Sequence, residues 1–153
     1  MTSSSGQDPS IEQALFTVAD IHALLDRERH EEEVAELRHQ QAAAAEKKHQ
    51  EEAFLARTVT PDYVATLMQR VRRAAESGVN ELMIGSFPSD WCTDGGIAIN
   101  APEDDWPDTL QGFAREFYEF WAQNLKPRGF RLNAKIINFP GGMPGDVGAF
   151  LSW

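Results

Sequence analysis

The sequence predicts an α+β fold: a charged helical arm over residues 10–57, then a compact domain over 60–153 in which a three-stranded sheet is backed by helices. Three observations carry this reading. Of all the Phe, Trp and Tyr residues, only Phe16 and Phe54 precede residue 60, so the large apolar groups of a core belong to the second part. Between Ser10 and Arg57 there is no Gly or Pro, and Ala, Glu, Gln, Arg, Lys and Leu dominate, all good helix formers. Beyond residue 60 the apolar pattern switches between helical spacing and alternation, in the order α-β-α-α-β-β.

Residues 1–9 read as a disordered tail, polar and with little to bury. Asp8-Pro9 then offers a helix start, with Ser10 and Gln13 as an alternative capping box. In the arm, Ile11, Leu15, Val18, His22 and Leu25 fall at 4-3-4-3 spacing, as the seam of a coiled coil requires, and Ile21 and Leu24 widen the stripe. Asp26 to Glu33 contains no apolar residue; Val34 and Leu37 restart the pattern, and Phe54 and Leu55 finish it. Two arrangements fit: a long helix whose interrupted seam dimerises, or a helix that breaks in the charged stretch and forms a hairpin or folds back on the domain. A solvated helix held by i,i+4 pairs ranks last, because pairs such as Glu32–Glu36 repel.

In the domain, Thr60-Pro61 starts a helix that reaches about Ser77 and buries Val64, Leu67, Met68, Val71 and Ala75, with Gly78 as its C-terminal cap. Residues 81–87 read as a strand that Pro88 ends. Ser89 caps a short helix through Ile99, a reading weakened by Gly95-Gly96. The acids Glu103, Asp104, Asp105 and Asp108 open the next helix, which buries Leu110, Phe113, Phe117 and Trp121. Residues 130–139 and 147–153 alternate as two strands of an antiparallel hairpin around the loop 140–146.

The formal net charge of -10 argues against nucleic acid, whose neutralisation needs clustered cations; Arg70, Arg72 and Arg73 read as a solvated helix face. One cysteine permits no internal disulfide, and no apolar run approaches a membrane span or a leader, so a cytoplasmic location is expected. All four histidines lie in the arm at spacings of eight, nine and ten, unlike helical metal pairs. With no histidine after residue 60, the domain lacks the base of a Ser-His-Asp or Cys-His arrangement. No catalytic residue, metal ligand or cofactor site is therefore assigned.

Cys92 has an enzymatic reading beside a packed, inert one. It lies near a helix start, but Asp90 and Asp94 flank it, and negative charge raises a thiol pKa. The loop 140–146 lacks the Lys-Ser or Lys-Thr of a phosphate loop and leads into a strand, although Met143 at its tip suits a partner contact. Ile137, Phe139 and Phe150 interrupt the polar face of the last two strands. Either a helix covers them, the favoured alternative, or they form an exposed apolar patch for a partner.

The segments Phe87-Pro88-Ser89, Cys92-Thr93-Asp94-Gly95-Gly96, Trp106-Pro107-Asp108-Thr109-Leu110 and Phe139-Pro140-Gly141-Gly142-Met143-Pro144-Gly145-Asp146-Val147-Gly148 resemble those of small proteins of rhizobia and related alphaproteobacteria. The resemblance covers roughly residues 60–153 and brings no assigned activity, cofactor or site residue. Those proteins are shorter at the N-terminus, so the arm is a departure from them.

The expected function is a non-enzymatic interaction or regulatory module that binds a protein partner or itself. Its candidate contacts are Ile137, Phe139, Met143 and Phe150 on the domain and Leu15, Val18 and Leu25 on the arm. The alternatives are a small enzyme or ligand-binding domain using Cys92, Asp94 and the loop 140–146, and a structural subunit of a larger assembly.

Overall fold

A computed structural model describes Gly6 and residues 8–153 and has the α+β architecture. The tail expected over residues 1–9 falls mostly outside the described residues. The chain divides into two compact units, one ending at Lys48 and one spanning His49–Trp153.

The first unit holds helix α1 (Pro9–Ala14) and most of α2 (Val18–Ala56). Asp8 caps α1 by accepting from the Ser10 amide at 2.9 Å. The arm is interrupted at Leu15–Thr17, where a continuous helix was expected. The cause is a reciprocal capping box: the Thr17 amide donates to Asp20 at 2.9 Å, and the Asp20 amide donates to the Thr17 hydroxyl at 3.0 Å. Past that point α2 runs without a break through Asp26–Glu33, which corrects the hairpin alternative. From Val18 to Lys48 every residue is exposed except half-buried Val34.

The second unit begins at His49, earlier than the composition boundary at 57–60, because the last two turns of α2 pack within it. Helix α3 (Pro61–Glu76) follows, capped by Thr60 accepting from the Tyr63 amide at 3.2 Å. It buries Leu67, Val71 and Ala74, one position from the expected Ala75, and Gly78 ends it at φ +89°. Strand β1 (Glu81–Pro88) leads to a 3-10 turn at Ser89–Trp91 and the one-turn helix α4 (Ile97–Asn100), separated where Gly95 and Gly96 take positive φ. The acidic run does not open a helix: Trp106–Thr109 is a 3-10 turn, and α5 (Gly112–Phe120) starts later. A π turn at Trp121–Leu125 extends α5 and carries both named residues into the core, where Trp121 Nε1 donates to the Phe130 carbonyl at 3.1 Å.

Strands β2 (Arg131–Ile136) and β3 (Asp146–Ser152) form the expected hairpin, and the sheet order is β1-β3-β2, all antiparallel. On the inner face Leu82, Leu132 and Leu151 share one level, and Phe87, Ile136 and Val147 another. Between these levels Gly85, Ala149 and Ala134 are cross-strand partners, and β1 bulges between Met83 and Gly85, which turns Ile84 inward. Two core clusters result. One gathers Leu67, Val71, Ile84, Phe117, Trp121 and Leu151; the other gathers Phe87, Trp91, Cys92, Ile99, Leu110 and Val147.

The end of α2 is held by a close backbone approach. A Cβ on Gly112, whose φ is +56°, would lie 2.7 Å from the Leu55 Cα and 2.9 Å from the Phe54 carbonyl oxygen. Gly112→Ala is expected to cost about 1–3 kcal/mol, from the left-handed backbone and the displaced helix end together. Gly78→Ala, also at positive φ but with nothing within 4 Å of the new methyl, should cost only the backbone part. Thermal denaturation of the two variants separates the terms.

Candidate functional site

An apolar pocket of about 130 Å³ lies in the second unit, between the inner sheet face and the elements packed on it. Its floor is the row Gly85–Ala149–Ala134, where all three strands carry little or no side chain. A Cβ at Gly85 would meet nothing within 4 Å. Ile84 and Phe117 from one core cluster and Phe87 and Leu110 from the other form the walls, so the pocket marks where the two clusters fail to merge.

Its rim comes from the end of α2 and the start of α5. The Phe54 ring lies 5.2 Å from that of Phe87 and 4.7 Å from that of Trp91. The Arg57 guanidinium sits 4.3 Å from the Phe113 ring centroid and 5.2 Å from that of Tyr63, stacked as a cation on aromatic faces. Burial pushes the Tyr63 phenol above its ordinary range, opposed by the charges of Arg57 and Arg70. Among the described residues no carboxylate lies within ion-pair distance of Arg57.

The residues of the enzymatic alternative are employed elsewhere. Cys92 is buried at 4% exposure among Phe87, Ile99 and Val147. Desolvation pushes its thiol up to about 11, against a hydrogen bond with Thr109 that lowers it, and Asp94 adds to the rise. The Asp94 carboxylate accepts from the Gly96 and Ala98 amides, each at 2.9 Å, and so caps α4. The loop 140–146 is tied to buried Ser89, whose hydroxyl donates to the Pro144 carbonyl at 3.1 Å and whose amide donates to Gly145 at 2.8 Å. None of these groups lines the pocket. Among the described residues no group of three or more His, Cys, Asp or Glu is placed to hold a metal, and no helix is long and apolar enough to cross a membrane.

The partner candidates on the domain share the outer sheet face and the hairpin end. Met83, Ile137, Phe139 and Met143 are exposed among the described residues, which corrects the favoured expectation of a covering helix. Phe150 is half-buried because Lys135 Nζ lies 4.1 Å above its ring and the ring leans over Gly148, beside Ile137. The basic cluster is not one face. Arg70 donates to the Met83 and Ile84 carbonyls at 3.0 and 3.3 Å, covering edge strand β1 at its bulge, whereas Arg72 pairs with Glu76 at 4.0 Å.

On the arm, Leu15 ends α1, while Val18 and Leu25 lie on α2. Phe16, Ile21 and Leu24 join them as exposed apolar groups. At about 100° per residue, Val18, Ile21 and Leu25 share one face, and Val34 and Leu37 lie roughly 160° away. The expected seam therefore does not continue along α2. The arm has an apolar head up to Leu25, followed by a shaft that is polar on most sides. Sequence reasoning missed Phe16, and it missed the pocket although an isolated glycine inside a strand signals a bulge or a close approach.

No family model, curated protein or solved structure matches this chain.

Phe139→Asp is expected to shift stability by no more than about 0.5 kcal/mol, and Phe150→Asp to cost about 1–2 kcal/mol through lost packing over Gly148; urea titrations test both. Cys92 should resist a thiol reagent until the chain unfolds. Because its folded pKa is raised, the folded state holds the proton after the unfolded thiol, near 9, has lost it. Stability from this group is thus complete below about pH 9 and falls as pH rises toward 11. Cys92→Ser or Cys92→Ala should flatten that alkaline slope.

Proposed function

We propose that the chain is a non-enzymatic interaction module that self-associates through the apolar head of its arm. The observation that carries this reading is the exposure of Leu15 and Phe16 in the break before α2 and of Val18, Ile21, Leu24 and Leu25 in the first turns of that 39-residue helix, each 48–81% accessible. Such a stripe on a helix is stable in water only when a second apolar surface covers it.

The chemistry of the head favours a second copy as that surface. Between Ile11 and Leu25 the only charged side chains are Glu12 and Asp20, and Asp20 is engaged with Thr17. A partner of opposite charge would find little to read there. An apolar stripe, in contrast, is complementary to itself across a twofold axis. Local supports on the shaft include Arg29–Asp26 at 3.9 Å and Gln40–Glu36 at 3.1 Å, and helix pairing would steady α2 further.

Light scattering coupled to size exclusion tests this on the full chain across a concentration series. The wild type should move from monomer to dimer as concentration rises. Ile21→Asp with Leu25→Asp should raise the dissociation constant by at least about 30-fold, the equivalent of roughly 2 kcal/mol of lost apolar burial. A wild type that stays monomeric throughout would refute self-association. A dimer indifferent to the double substitution would move the contact to the outer sheet face around Met83, Ile137 and Phe150.

A further inference from the structure

The arm's reading leaves the pocket unused, and the pocket's chemistry is specific. We infer that it is a binding site for a small monocarboxylate with a compact apolar body, an aromatic ring or a branched aliphatic group of similar size.

Size sets the body. A cavity of about 150 Å³ accommodates benzene, and this one is about 130 Å³ with Ile84, Phe117 and Leu110 around it. The floor is built to leave room: Gly85, Ala149 and Ala134 stand in register, whereas the levels on either side carry Leu, Phe, Ile and Val. A glycine inside a strand weakens it, and here a larger residue would enter open space. Arg57 on the rim is exposed, which gives the pocket a mouth.

Charge sets the head group. Arg57 lies among the pocket's lining residues, its guanidinium held over the rings of Phe113 and Tyr63. The ring faces use no N–H of that fork, and no carboxylate of the described residues takes them up. A planar carboxylate accepts two parallel N–H donors from such a group, and its apolar body then points toward the floor. The same stacking that holds Arg57 in place lowers the conformational cost of binding. The inference stands apart from self-association, since its residues all lie in the second unit.

The probe is benzoate, titrated into the full chain with tryptophan fluorescence as readout, because Trp106 lines the pocket. Saturable binding is expected below roughly 10 mM, the range open to so small a ligand. Arg57→Gln should weaken it at least tenfold, with Arg57→Lys between the two. Benzyl alcohol, similar in shape but uncharged, should bind more weakly than benzoate and be indifferent to Arg57→Gln. Gly85→Val should fill the floor and abolish both signals while circular dichroism stays native; should that variant unfold, Ala134→Val at the same level takes its place. No benzoate signal with folded wild type overturns the inference. So does binding that survives both the Arg57 and the floor substitutions, or benzyl alcohol binding as tightly as benzoate.

Discussion

The folded unit depends on one backbone contact, the seat of the last turn of α2 against Gly112. Only a residue without a Cβ lets the Phe54 carbonyl and the Leu55 Cα approach the start of α5 this closely, and only glycine adopts the local φ of +56° cheaply. What the contact secures is larger than itself. It places Phe54 between Phe87 and Trp91, and it sets Arg57 over Phe113. The final turns of a helix that is otherwise polar and exposed are thereby recruited into the core, so the unit starts at His49.

The sheet supplies the complementary constraint. Close packing needs each level of the inner face to contribute volume, and the level Gly85–Ala149–Ala134 does not. The bulge at Ile84 recovers part of the loss by turning one large side chain inward. The remainder is the pocket, flanked by two clusters that are each well packed. A buried indole N–H on Trp91, without a partner among the described residues, lies in the cluster beside it. That orphan donor would ordinarily cost about 1–3 kcal/mol, against which stands the ring packing of Trp91 on Phe54.

Much of this was legible in the sequence where a residue has one physical use. Thr60, Pro61 and Gly78 bracket α3 because capping, a fixed φ and a left-handed turn each have few alternative suppliers. Alternation in β2 and β3 gave the hairpin and its inner face. Legibility failed where a residue has several uses. Thr17 and Asp20 could sit anywhere in a helix, yet together they cap α2 and break the arm. The acids 103–108 could open a helix, but Trp106-Pro107 turns the chain first. Arg57 read as a boundary residue because nothing local says that Phe113 and Tyr63 will meet it. The pocket's floor was invisible for the same reason: three small residues far apart in sequence become one row only through register.

The division of polarity along the chain ties these features together. The second unit buries its large apolar groups on one sheet face and leaves Met83, Ile137 and Phe139 on the surface, with Lys135 over Phe150. The arm does the reverse, collecting its apolar groups at one end and keeping Asp26 to Glu33 free of them. A continuous seam would commit all of α2 to a partner helix. Rotating Val34 and Leu37 to the other side confines strong apolar contact to the head and leaves the shaft compatible with water. The second unit, in contrast, covers its own large apolar groups through the two clusters built on Phe117 and Val147.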